Sequence, residues 1–112
     1  MKKGYKMAPR IKDPFTHARN LAFHRSACQA RFRGEVWSLT FEEFCHFWHS
    51  ESLWEQRGRK IEALVLTRWD TEKPWDTKNC CIITRDNQLK AKIERYWGND
   101  DAEYFKDAIW YE

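Results

Sequence analysis

The sequence predicts an α+β fold in which N-terminal helices pack on a strand-loop-strand-helix unit. Three observations carry that expectation. Residues 64–66 (Leu-Val-Leu) and 80–83 (Cys-Cys-Ile-Ile) are short apolar runs with branched side chains, as strands require. The span Asp70–Asn79 between them is polar, holds Pro74 and several turn formers, and is too short and Pro-broken for a helix. On either side of this hairpin, apolar residues recur at helical spacing.

Taken in order, residues 1–13 have little apolar content beyond Tyr5, Met7 and Ile11, and Pro9 interrupts any helix. They read as a flexible basic arm, with residues 14–112 as a single domain. A helix is predicted from Phe15 to about Phe32, with Phe15, Ala18, Ala22, Ser26 and Ala30 near one face, Phe23 beside them and Gly34 as the stop. Thr40-Phe41-Glu42-Glu43 is a capping box that opens a helix whose stripe is Phe41, Phe44, Cys45 and Trp48. Residues 50–60 end that helical region and lead through Arg57-Gly58-Arg59-Lys60 into the first strand. The hairpin follows, and Thr84 caps a helix with Leu89, Ile93, Tyr96 and Trp97 on its apolar face and Lys90, Lys92 and Arg95 off it. The whole unit occupies about residues 62–97. Residues 101–110 predict a short amphipathic helix built on Tyr104, Phe105, Ala108 and Ile109.

At 112 residues the chain can fill one modest core, and an aromatic content of 16%, with seven Trp, predicts a core of a few large rings. No apolar run approaches the roughly 20 residues of a membrane span, and no signal-peptide core opens the chain, so the expected compartment is the cytoplasm. Cys28, Cys45, Cys80 and Cys81 then read as reduced, mostly buried thiols. A zinc set of Cys45, His49 and Cys80 or Cys81 lacks the paired Cys-x-x-Cys spacing of structural sites.

The net charge of +3 conceals a strong polarity. Lys2, Lys3, Lys6, Arg10, Lys12, Arg19, Arg25, Arg31 and Arg33 crowd the first third, with Asp13 set against them. The last stretch holds Asp100, Asp101, Glu103, Asp107 and Glu112 against Lys106. A basic half of this kind releases counterions from a phosphate backbone. The arginines of the first helix, with His17, His24 and Gln29, and the tetrad at 57–60 are the expected phosphate contacts.

The hairpin unit resembles the ββα-metal (HNH) module of small phage and homing-type endonucleases. Leu64, Arg68, Asp70, Asn79, Cys80, Thr84, Arg85 and Gln88 match, without a gap, the branch with a Leu-x-x-Asp-Arg-Ile-Asp segment, Asn-Cys-Arg-Trp, Thr-Arg and a Gln. Trp75 stands at the loop aromatic and Ile82 replaces a Trp. Trp37, Phe41, Phe44 and Arg57-Gly58-Arg59 are similar to the segments that precede the module, so the resemblance spans roughly residues 17–95. It implies N-terminal helices packed on an HNH-like hairpin-helix, host-cell cytoplasm for a phage-encoded chain, and duplex DNA as partner.

The departures lie at the chemistry. An active module ends its first strand in Asp-His, a metal-holding carboxylate and a base for the attacking water. Those positions are Thr67 and Arg68 here, and a guanidinium stays protonated near neutral pH. The expected function is therefore DNA binding on an inactive or weakly active nuclease scaffold with no cofactor. Arg19, Arg25, Arg31, Arg33, Arg57, Arg59, Lys60, Arg68 and Arg85 are its candidate contacts. Two alternatives stand beside it. In an active Mg- or Mn-dependent endonuclease, Asp70, Asn79 and Asn87 would carry catalysis, with Asp70 on the metal and Asp86 or Glu72 assisting. In a small phage effector, exposed rings such as Trp54, Trp75, Trp110 and Tyr111 would grip a host protein.

Overall fold

The computed structural model describes residues 13–112, so all of the expected basic arm except Asp13 lies outside the described residues. Helix α1 runs Pro14–Phe32. The Asp13 carboxylate opens it by accepting from the Phe15 N–H and the Thr16 hydroxyl, and Pro14 occupies the first turn. At its other end Gly34 takes φ +79°, Gly34 N–H donates to the Arg31 carbonyl and Glu35 N–H to Ala30. This Schellman turn reverses the chain and sets Glu35 against the rest of the domain.

The expected second helix is followed by a further short one in the segment expected to lead out of it. The capping box of Thr40 and Glu43 opens α2, Phe41–Phe47, and a separate α3, Glu51–Glu55, begins where the Ser50 hydroxyl accepts from Leu53 N–H. Strand β1, Leu64–Arg68, pairs antiparallel with β2, Cys80–Thr84, and Thr84 caps α4, Arg85–Tyr96. The strand-loop-strand-helix order is thus the one the hydrophobic pattern predicts.

The C-terminal segment departs from expectation. In place of an amphipathic helix, Ala102–Phe105 forms a 3-10 turn, and Ile109–Trp110 forms β3 on the free edge of β2. The sheet order is β1-β2-β3, which makes β2 central. That position explains its composition: Cys80 and Ile82 are buried against Leu39, Phe44, Phe47 and Trp48, while Cys81 and Ile83 are buried against Ala91 and Phe105. A strand covered on both faces needs an unbroken apolar run. Phe23 knits the larger cluster, with its ring 5.6–5.8 Å from those of Trp37, Phe41 and Phe44 in edge-on geometry.

The same closure overturns the expected apolar face of α4. Ala91, which has no bulk to hold the sheet away, is its buried residue, and the space beside it is filled by Phe105, Tyr104 and Ala108 from the C-terminal segment. Ile93, Tyr96 and Trp97 are left exposed, Tyr96 at 80% and Trp97 at 70%. Among the described residues no helix is long and apolar enough to cross a membrane.

Candidate nucleic-acid interface

Between α1, β1 and α4 lies an open cleft of about 550 Å3, walled by Gln29 and Arg33 of α1's end, Thr67 and Arg68 of β1, and Arg85, Gln88, Lys92 and Arg95 of α4. The α4 residues fall at successive helical turns and so form one stripe. Trp37 and Trp75 line the same cleft, their rings 5.5 Å apart. Five of the lining side chains are cations, and none is a carboxylate. A second hollow of about 310 Å3 shares Ser26, Val65 and Leu66 with the first and adds Arg57 and Arg59.

The charge balance of the cleft is set from just behind its walls by Glu35, the acid that the basic count of the first third leaves out. Glu35 Oε2 accepts from Arg33 Nε at 3.1 Å and pairs with Arg68 Nη2 at 3.0 Å, while Oε1 accepts from Arg33 Nη2 and Trp75 Nε1, each at 3.0 Å. The Arg33 hydrogen bonds above all, then that from Trp75 and the field of Arg68, hold its carboxyl below the usual glutamate range. Asp101 pairs with Arg95 Nε at 2.8 Å. Arg85 Nη1 donates to the neutral Gln88 Oε1 at 2.6 Å, and Lys92 has no ion-pair partner among the described residues. Two carboxylates thus serve five cations.

The loop on the cleft's rim is braced from within. Asn79 Oδ1 accepts from Asp70 N–H at 2.8 Å, and its Nδ2 donates to the carbonyls of Asp70 and Pro74 at 2.8 and 2.9 Å. Asp70 accepts from Glu72 N–H, Asp76 from Lys78 and Asn79 N–H, and Arg68 Nη1 donates to the Lys73 carbonyl at 2.9 Å. Trp75 N–H donates to Val36 and Ser38 N–H returns to Trp75, which ties the loop to the chain leaving α1. Asp70 and Asn79 thereby brace the turn. Asn87 gives its backbone N–H to the Thr84 hydroxyl in the α4 cap. No group of three His, Cys, Asp or Glu side chains gathers among the described residues, the Cys45, His49, Cys80 and Cys81 set included.

The expected contacts divide sharply. Arg33, Arg68 and Arg85 come together in the cleft, although Arg68 is buried and largely committed to Glu35 and Lys73. Arg25 and Arg31 are exposed but do not line it, and Arg59 and Lys60 are exposed at the neighbouring surface. Arg19, expected on a solvated face, is instead buried. Its Nη2 donates to the Trp48 carbonyl, and its guanidinium lies 3.3 Å from the Phe15 ring centroid and 4.4 Å from that of Trp54. Arg57 covers Trp54 at 4.2 Å. Burial pushes both guanidinium groups below their ordinary range, and Arg19 adds to the effect at Arg57. Rings hold these two cations, as the high Trp content could have warned.

Gln88, Lys92 and Arg95 of α4 line the cleft but are absent from the expected contacts. Their signal was present as the 85, 88, 92, 95 period. Comparison with family models, with curated proteins and with solved structures gave no match.

Proposed function

We propose that the chain binds DNA, holding one phosphate backbone in the cationic cleft without cutting it. The observation that carries this reading is the lining itself: Arg33, Arg68, Arg85, Lys92 and Arg95 converge on an open groove whose walls bear no carboxylate. Arranged so, cations exchange condensed counterions for fixed charge, and affinity follows. The HNH-like register of Arg68, Asp70, Asn79, Thr84, Arg85 and Gln88 supports DNA as the polymer. The inert reading is supported by Thr67 where the module's metal-holding Asp would stand, by Arg68, which cannot act as a base, and by the bracing roles of Asp70 and Asn79.

The test is binding of labelled DNA across a salt series. Occupation of three to five cations predicts a log-log slope of about −2 to −4. Replacing Arg33, Arg85 and Lys92 together by Gln should remove most of the affinity and flatten that slope. Salt-independent binding, or binding that survives the triple substitution, overturns the cleft as the interface. Mn²⁺-dependent nicking of supercoiled plasmid that disappears in Asp70→Ala overturns the inert half.

A further inference from the structure

We infer that the cleft takes a single, unpaired nucleic-acid strand, whose phosphates meet its cations and whose bases stack on the aromatic residues of its floor and rims. This rests on the nucleic-acid reading above and replaces the duplex that the family resemblance implies. Three observations point to it. First, the cleft, about 550 Å3, has room for one backbone beside its cations. Second, Trp37 and Trp75 line it, so rings lie among the cations.

Third, each helical wall ends in bare aromatic surface. On α4, Tyr96 stands one turn beyond Lys92, and Trp97 adjoins it with its ring perpendicular, 5.1 Å away. On α1, Phe32 stands three residues beyond Gln29 beside Arg33 and is 92% exposed. On α4 the core side is already closed, since Phe105 and Ala108 fill the space against Ala91 and leave Tyr96 and Trp97 outside it. Exposed aromatics interleaved with Lys92, Arg95 and Arg33 match a polymer that alternates anionic phosphate with flat π faces. A duplex hides those faces in its own stack.

The experiment is fluorescence anisotropy of a short oligothymidylate, an oligouridylate and a blunt DNA duplex of the same length, at one salt concentration. The proteins are the parent, Tyr96→Ala with Trp97→Ala, and Tyr96→Phe with Trp97→Phe; the altered side chains are mostly solvent-exposed, so all three should melt alike. The expected result is tighter binding of at least one single strand than of duplex, by about tenfold. The Ala pair should lose that margin and the Phe pair keep it, with duplex affinity unchanged in both. The two single-stranded arms tell DNA from RNA as the source. Duplex bound as tightly as either strand, or strand binding untouched by the Ala pair, overturns the inference and leaves the cleft reading standing, with the rings then free for a protein partner. No binding of any polymer by the parent takes down both.

Discussion

Glu35→Gln tests the cleft and the fold at once, with effects of opposite sign. The substitution keeps the shape of the side chain but exchanges one acceptor oxygen for an amide. Each oxygen of Glu35 takes two N–H donors, Arg33 and Trp75 on one side, Arg33 and Arg68 on the other, so either orientation of the amide sets donor against donor. The Arg33 side chain is 50% exposed and can find water, which discounts its share of the loss. That of Arg68 is only 9% exposed and would lose its counter-ion in place. Weighing one charge-assisted hydrogen bond lost outright and others weakened gives about 2 kcal/mol, or a fall in Tm of about 10 °C for a domain of this size.

Binding should move the other way. Removing the carboxylate leaves Asp101 as the acid paired with the cleft's cations and frees Arg33 to meet a phosphate. One added phosphate contact steepens the log-log salt slope by about 0.7–0.9 and tightens binding at low salt. Thermal unfolding followed by circular dichroism reads the first effect, and anisotropy titration at a temperature where the variant is folded reads the second. An unchanged Tm would refute the bracing role of Glu35. Weaker binding by the folded variant would refute the charge argument, since orientation of Arg33 would then outweigh its neutralisation.

The same carboxylate makes the protein acid-sensitive. Because its pKa is lower folded than unfolded, its contribution is full above the ordinary glutamate value, about 4.3, and is lost as pH falls through the folded one; the Tm difference between parent and Glu35→Gln should therefore shrink progressively as pH falls below the ordinary glutamate value. Asn79→Ala should cost about 2–4 kcal/mol in denaturant unfolding, since it leaves the Asp70 N–H and two loop carbonyls without their partner in a buried site. Thiol reagents near pH 8 should label exposed Cys28 quickly, while Cys80 and Cys81, fully buried and pushed up to about 12 by that burial, react only on unfolding.

What could be read from the chain alone was whatever local chemistry decides. Thr84 and the Thr40–Glu43 box each need only a few neighbours to act, and the hairpin was visible because Pro74 and the surrounding turn formers leave no other conformation; the Ser50 cap and the short α3 it opens were not read from the chain. The edge strand at Ile109–Trp110 was not legible. Its apolar spacing suits a helix as well as it suits a chain folding back, and only the free edge of β2 chooses between them. The bare face of α4 follows from that choice, since residues distant in sequence filled the space its stripe was expected to occupy.

The candidate site shows the same division, and the cations make the reason physical. A count of Lys and Arg gives the sign of a surface but not which charges remain on it. Arg19 and Arg57 lie on the ring of Trp54, so those two guanidinium groups are held in packing and neither lines the cleft. Arg33, Arg68 and Arg95 reach the cleft but share Glu35 and Asp101. Arg85 and Lys92 are left as the lining charges with no acid of their own, and they sit on α4, the helix that ends in Tyr96 and Trp97. Two cleft charges without an acid and two exposed aromatic rings therefore share one element. A strand laid along α4 would meet cations and rings on the same helix.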